Sequence, residues 1–117
     1  MTTQASVDLI RARQTVAGDA ELFAELVQIF TDQVPQISTD LRSAMAARDS
    51  ATIGLIAHRL KGSLAVVGAC CAATAAQVEK SAKTGFSAAL LELAYQLDAE
   101  VVALIPALQS VVAGGEI

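Results

Sequence analysis

The sequence predicts an all-α protein, an antiparallel four-helix bundle with a short N-terminal helix. Apolar residues make up 54% of the 117 residues but aromatic residues only 3%, and the apolar share is mostly alanine, leucine and valine. The first two are strong helix formers, and only seven glycines and two prolines interrupt them. A chain of this length has room for one hydrophobic core. We therefore expect a single domain over 1–117, with an N-terminal extension (1–18), the bundle (19–113) and a tail (114–117).

The first two predicted helices are indicated by apolar periodicity and, for the second, by an N-cap residue. A weakly periodic stretch predicts a short helix around Val7–Ala12. Asp19 is a good N-cap and predicts a long helix over Ala20–Ala47. Pro35 is expected to bend that helix, because proline removes one backbone hydrogen bond. Spacing of three and four residues indicates the core-facing positions, which are Leu22, Leu26, Ile29, Phe30, Ile37, Leu41, Ala44 and Met45.

The middle of the chain predicts two more helices. Asp49 or Ser50 caps the first, which should reach Val67 and stop at Gly68, because glycine readily adopts the left-handed conformation that ends helices. An alanine-rich helix follows over Cys70–Ala82. A turn is then indicated by threonine, glycine and serine at positions 84, 85 and 87.

The last helix has the clearest apolar pattern, with a late kink expected at Pro106. The chain has two long uncharged stretches, one in this helix (101–115) and one earlier (62–78). Both are too short to span a bilayer, so buried bundle helices explain them better. Met1–Ile10 does not resemble a secretory signal. We expect a cytoplasmic protein with no membrane partner. The seam of the last helix is Leu90, Ala94, Leu97, Val101, Leu104, Leu108 and Val111.

Charge and cysteine content exclude several classes of function. The net charge of −4 leaves no basic stripe that could follow a phosphate backbone, so nucleic acid is not an expected partner. Cys70 and Cys71 are adjacent in a helical pattern, where a disulfide would be strained. With a single histidine in the chain they cannot form a conventional zinc site. We expect no bound metal and interpret both cysteines as small core or interface residues.

His58 is the residue that carries the chemistry in our interpretation. On a helical wheel, it lies opposite the apolar sector formed by Ile53, Ile56, Ala57, Leu60, Leu64 and Val67. An ordinary solvated face would carry charged residues around it. Its neighbours are instead small or apolar, apart from Lys61, which suggests that a partner docks over the ring. We predict that the partner-binding residues are Ala51, Gly54, Leu55, Gly62 and Ala65.

Residues 57–63, with the sequence A-H-R-L-K-G-S, and the Val67-Gly68-Ala69 segment closely resemble the signature of histidine-containing phosphotransfer (HPt) domains. That signature has a glycine ten residues after the histidine. Phe30, Pro35, Asp49 and Glu79 also stand where such domains commonly place an aromatic residue, a proline, an acidic turn residue and a glutamate. The resemblance is good over 19–82 and rests on pattern alone in the last helix.

The resemblance implies a function for each motif residue. His58 would accept a phosphoryl group from the aspartate of a response-regulator receiver domain and pass it to another receiver. Lys61 would stabilise the phosphoryl oxygens, and Gly62 would leave space for the partner. Some members orient the ring with a glutamine 22 residues after the histidine. Lys80 occupies that position here, and whether Gln77 substitutes for it is left open.

The same resemblance implies the partners. They would be receiver domains and a hybrid sensor kinase, with Mg²⁺ supplied by the receiver, because the sequence shows no acidic cluster arranged for magnesium. The chain would be a phosphorelay intermediate without its own ATP-binding or kinase domain, and so not an enzyme. It would need no cofactor of its own. We expect a monomer.

Three other interpretations compete with this one. The dimerisation and phosphoacceptor domain of a sensor kinase also exposes a histidine, but usually follows it with an acidic residue, where this chain has Arg59. A non-catalytic helical interaction module or scaffold would make His58 incidental. A hydrolase would use His58 as a base, and a base normally has an orienting carboxylate that the sequence alone cannot assign.

Overall fold

The computed structural model describes residues 7–117 and contains five α-helices. They are α1 (Leu9–Thr15), α2 (Ala20–Ala46), α3 (Ser50–Val66), α4 (Ala72–Ala82) and α5 (Ala88–Gly114). Within these described residues there is no strand, only one isolated β-bridge between Val7 and Ala69. The all-α prediction is therefore confirmed.

Helices α2 to α5 form the predicted four-helix bundle. α2 packs against α3 and α5, and α4 packs against the same two helices, so α3 and α5 lie diagonally across the bundle. Short turns connect α2 to α3, α3 to α4 and α4 to α5, as expected for antiparallel neighbours. One continuous core fills the centre. Its largest fully buried side chains include Phe23, Leu41, Ile53, Leu60, Leu90, Leu97, Leu104 and Leu108.

Side chains at the turns begin the helices where the sequence predicts. The Asp19 carboxylate accepts a hydrogen bond from the Leu22 amide at 3.0 Å. Asp49, rather than Ser50, caps α3 by accepting from the Thr52 amide at 3.1 Å. These contacts satisfy backbone N–H groups that have no partner within the helix. They fix the start of the helix that carries His58.

The predicted core face of α2 is only partly correct in its first half, where Phe30 is buried and Leu26 packs against the core while partly exposed. Leu22 and Ile29 are 40% and 53% exposed. The other buried residues there are Phe23, Val27 and Val34, which were not predicted. Both sets follow helical spacing on adjacent stripes of one helix, so periodicity alone does not choose between them. In the second half, Leu41, Ala44 and Met45 are buried as predicted, and Ile37 packs against the core while partly exposed.

The other helix boundaries differ only slightly from the predictions. α2 and α5 continue as helices through Pro35 and Pro106. α4 begins at Ala72, two residues later than predicted, because Cys70 and Cys71 lie in a turn closed by a hydrogen bond from the Ala72 amide to the Ala69 carbonyl. Every residue of the predicted α5 seam is buried.

The N-terminal segment closes one end of the bundle. Val7, Ala12 and Val16 are buried, and the Asp8 amide donates to the Gly68 carbonyl at 2.7 Å. Gly68 has a φ of +73°, the left-handed conformation predicted for it. A Cβ there would lie 2.8 Å from the Asp8 carbonyl oxygen, so a side chain would also collide with this segment. The end of α3 therefore depends on glycine at this position.

Helix α5 is long and apolar enough to cross a membrane by length and composition, with a mean hydropathy of 1.5 over 18 residues. Inner helices of water-soluble bundles have the same composition, because their seam must be apolar. α5 also contains the buried Asp98, whose carboxylate accepts hydrogen bonds from the Ser38 hydroxyl at 2.6 Å and from Arg42 Nε at 3.0 Å. Its seam residues pack into the core of the bundle.

Candidate functional site

His58 lies near the middle of α3, on the face turned away from the core. Its side chain is 62% exposed. Ile53, Ala57, Leu60 and Leu64 are buried on the opposite face of the same helix, as the helical wheel predicts, while Ile56 is only partly buried. The burial of this apolar face fixes the rotation of α3 about its axis and so directs the imidazole outward.

Helix α4 supplies a carboxylate that joins His58 and Lys61. The Glu79 side chain, only 18% exposed, reaches His58 Nδ1 with Oε2 at 2.8 Å. Its other oxygen, Oε1, accepts a hydrogen bond from Lys61 Nζ at 2.7 Å. His58 and Lys61 lie three residues apart on one side of α3, so one carboxylate on the neighbouring helix contacts both. We call these three residues the His58–Glu79–Lys61 network.

The charges in this network determine which form each group takes. The Lys61 ammonium, and after it the His58 ring, hold the pKa of the Glu79 carboxyl below its usual range by hydrogen bonding to its charged form, against a smaller opposing effect of desolvation. Glu79 is therefore ionised at neutral pH and acts as an acceptor. An ionised carboxylate at Nδ1 favours the ring form with its proton on Nδ1. Nε2 then keeps its lone pair, on an exposed side chain.

The predicted partner-binding residues fall on two sides of the imidazole. Ala51, Gly54 and Leu55 lie beside His58 in a groove between α3 and the end of α4, and Leu55 is 50% exposed. Gly62 and Ala65 lie beyond His58 toward the C-terminal end of α3. A Cβ on Gly62 would meet no atom within 4 Å, so its surroundings are open, as predicted.

Gly54 has a second role that the sequence did not reveal. A Cβ built on it would lie 3.0 Å from the Cβ of Ala82, closer than real side chains normally pack. The glycine therefore allows α3 and α4 to approach each other next to the site. Gly54 lines the groove but also serves packing, whereas Gly62 has no neighbour that a methyl group would disturb.

The carboxylate that contacts the ring is the feature that sequence reasoning did not locate. Glu79 stands 21 residues after His58, next to Lys80 and two residues from Gln77, which were the candidates for orienting the ring. Both of those side chains are exposed, and the ring contact belongs to Glu79. One signal was present in the sequence, because Glu79 is the only acidic residue between Ser50 and Glu92.

No group of three or more histidine, cysteine or acidic side chains within residues 7–117 is arranged to hold a metal ion. At the site itself, the single carboxylate already accepts hydrogen bonds on both oxygens. The free thiols of Cys70 and Cys71 belong to the turn before α4. Burial raises the pKa of the Cys71 thiol to about 11, so it stays protonated and unreactive.

Comparison with known proteins identifies the family. The sequence profile described as Hpt domain matches residues 25–110, which include α3, α4 and the whole His58–Glu79–Lys61 network. The chain belongs to the Hpt domain family. No curated protein is similar enough in sequence to count as a relative.

A solved structure has the same fold as this Hpt domain. It is the Hpt domain of a sensor hybrid histidine kinase from Shewanella, which superposes with a TM-score of 0.82 over 92% of this chain and 94% of that one. The sequences are 17% identical. The bundle is thus shared although most of its side chains differ.

Membership of the family confirms the coarse function predicted from the motif. Hpt domains are phosphotransfer modules of two-component phosphorelays, without a kinase or ATP-binding domain of their own, and they interact with the receiver and kinase proteins of those systems. Membership of the family therefore favours the phosphotransfer interpretation over that of a scaffold with an incidental histidine.

Proposed function

We propose that His58 accepts a phosphoryl group from the aspartyl phosphate of a receiver domain and donates it to the aspartate of a second receiver. The observation that carries this proposal is the contact between His58 Nδ1 and Glu79 Oε2 at 2.8 Å on a ring that is 62% exposed. Such a contact leaves Nε2 as a free nucleophile facing the surface.

The transfer step uses both ring nitrogens. The lone pair on Nε2 forms the N–P bond while the bond between phosphorus and the aspartate oxygen breaks, and its electron pair stays on the aspartate as carboxylate. The proton remains on Nδ1, so the ring gains positive charge, which faces the Glu79 carboxylate. In the second transfer, an aspartate oxygen of the other receiver attacks phosphorus, and the N–P electrons return to Nε2.

Lys61 serves this step as a nearby cation. Its ammonium lies 2.7 Å from Glu79 Oε1 before a phosphoryl group arrives. A phosphoryl group on Nε2 offers new anionic oxygens, and a flexible lysine suits such a target as a point charge. We propose that Lys61 then shares its donors between Glu79 and the phosphoryl group.

The partner receivers would supply what this chain lacks. Phosphoryl transfer between aspartate and histidine needs a divalent metal and in-line positioning. We propose that Mg²⁺ comes from the receiver, that a hybrid sensor kinase provides the phosphoryl group through its receiver, and that the chain acts as a cytoplasmic monomer. The open surroundings of Gly62 and the exposed Leu55 support docking of a protein over the ring.

The test is transfer of labelled phosphate. The chain should take no label from ATP alone, and should become labelled when mixed with Mg²⁺ and a receiver domain phosphorylated by acetyl phosphate. The label should be lost in acid and persist in base. This pattern is expected of a phosphoramidate and not of an acyl phosphate. His58→Gln should abolish labelling with an unchanged helical circular-dichroism spectrum. Labelling that survives this substitution would refute the proposal.

A further inference from the structure

Positive charge is concentrated in the segment of the chain that carries the phosphotransfer site. Four of the eight basic residues of the chain lie between Ser50 and Ser87, which is the segment that forms α3, α4 and the turn after α4. Only one of its twelve acidic residues, Glu79, lies there, and it is already paired with Lys61. The chain as a whole carries −4. The segment that carries the site is therefore positive on an acidic protein, although Arg59 lines a different groove beside α2, and Lys83 is the cation in the groove at His58.

Lys83 is the cation that lines the groove beside His58. This groove lies between α3 and the C-terminal end of α4, and it is lined by Ala51, Gly54, Leu55, His58 and Lys83 among others. Lys83 is exposed, and none of the ion pairs formed by the described residues includes it. Lys61, in contrast, is held by Glu79. The groove thus offers an unneutralised ammonium next to apolar surface.

We propose that Lys83 is a docking residue that binds the acidic rim of the receiver domain in this groove. This inference rests on the proposed function. A receiver site that carries an aspartyl phosphate and holds Mg²⁺ through carboxylates has an acidic rim. Lysine in the groove would attract that rim during encounter, while the exposed side chain of Leu55 supplies apolar contact. Lys83 acts on association and not on the chemical step.

A purely structural role for Lys83 is distinguishable from docking. Lys83 stands at the C-cap of α4, where a cation is favourable to the helix dipole. A residue acting only there would change the melting temperature of the chain and leave transfer kinetics untouched. Lys80, three residues earlier on the same helix, is exposed and does not line the groove, so it serves as a matched control.

The experiment compares Lys83→Gln, Lys83→Arg and Lys80→Gln with the unmodified chain. Two phosphodonors are used, a receiver domain phosphorylated by acetyl phosphate and the small molecule phosphoramidate. We expect Lys83→Gln to lower the second-order rate of transfer from the receiver about tenfold at low salt, with the difference shrinking as salt screens the charge. Lys83→Arg should keep most of the rate, and Lys80→Gln should stay within about twofold. Labelling by phosphoramidate should be equal for all four proteins.

Three results would overturn the inference. They are unchanged receiver kinetics for Lys83→Gln, an equal loss for Lys80→Gln, and a loss with phosphoramidate as large as with the receiver. In each case labelling of His58 itself would persist, so the proposed function would stand. The proposed function itself would be refuted only if the His58→Gln variant still became labelled.

Discussion

Each side chain of the His58–Glu79–Lys61 network limits what the others can do. Glu79 contacts one ring nitrogen of His58 and so determines which nitrogen remains free, while the same carboxylate holds the Lys61 ammonium close to the ring. The exposed His58 ring therefore has a fixed orientation and the Lys61 ammonium close to it. Under the proposed function, such pre-arrangement would reduce the reorganisation required when a phosphoryl group is transferred to the ring.

Replacing Lys61 tests whether that cation contributes to transfer. Lys61→Ala should slow transfer from a phosphorylated receiver by roughly ten- to a hundredfold, because one charge-assisted contact to the phosphoryl oxygens is lost. Labelling of His58 should still reach completion at long times, since Nε2 remains the nucleophile. Rapid-mixing kinetics at saturating receiver would measure the effect. Rates equal to those of the unmodified chain would show that Lys61 only pairs with Glu79.

Gly62 should affect function and stability in opposite directions. No atom lies within 4 Å of a Cβ placed there, so Gly62→Gln should preserve or raise the melting temperature, because glycine is a poor helix former by about 1 kcal/mol. The new side chain would project into the space that a receiver must occupy, so transfer should fall. Ala99→Gln, on the exposed face of the diagonal helix α5, is the control. A joint loss of stability and transfer would contradict the docking role of Gly62.

At the level of helices, the approach of α3 to α4 sets the site. Glu79 can reach His58 and Lys61 only because α4 lies close against α3, and Gly54 opposite Ala82 allows that distance. Glycine in mid-helix costs stability by itself. The close packing of α3 against α4 that Gly54 permits explains why glycine stands at this position despite that cost.

The two glycines of α3 therefore make a matched pair for a stability test. Gly54→Leu should destabilise the bundle by about 1 to 3 kcal/mol, because an added side chain forces the helices apart. Gly62→Leu should leave stability unchanged or raise it slightly, because its surroundings are open. Chemical denaturation of both variants measures the difference. Equal effects at the two positions would show that α3 and α4 do not need the close approach at Gly54.

Most of the helices could be predicted from the sequence, because caps and apolar periodicity are local signals. Asp19 and Asp49 cap their helices as expected, and the α5 seam is buried throughout. The first half of α2 could be assigned only in part, because Leu22 and Phe23 begin two adjacent stripes and only the packing of α2 against its neighbours selects one.

The exposure of His58 and its shared side with Lys61 could be predicted from the sequence, whereas the partner of the ring, Glu79, could not. His58 and Lys61 belong to one helix, so their common side follows from helical geometry. Glu79 comes from another helix, and its distance from the ring depends on the rotation and closeness of α4, which no local pattern encodes. For the same reason the packing role of Gly54 against Ala82 could be recognised only in the folded bundle.

At the scale of the whole molecule, ionised carboxylates link stability to pH. Hydrogen bonds from Lys61 and His58 lower the pKa of Glu79, and hydrogen bonds from Thr52 lower the pKa of Asp49. A carboxyl whose pKa is lower in the folded state contributes stability that is present above its ordinary value of about 4 and is lost as pH falls through the lowered pKa.

The melting temperature should therefore decline on acidification below about pH 4. Glu79→Gln should make this decline shallower, because the variant no longer has that group to protonate. Thermal unfolding followed by circular dichroism from neutral to acidic pH measures the effect, with Glu92→Gln, an exposed acid on α5, as the control. An acid decline of the same steepness in Glu79→Gln would show that the network contributes no pH-dependent stability.

The single histidine of the chain allows the nucleophilic atom to be observed directly. A long-range proton–nitrogen NMR spectrum of the nitrogen-15-labelled protein, at a pH where the ring is neutral, should show the proton on Nδ1 and a bare Nε2, whereas an unrestrained imidazole favours the reverse. After transfer from a phosphorylated receiver, phosphorus coupling should appear on Nε2 while Nδ1 keeps its proton. Phosphorus on Nδ1, or a neutral ring with its proton on Nε2, would contradict the role assigned to Glu79 and the transfer mechanism built on it.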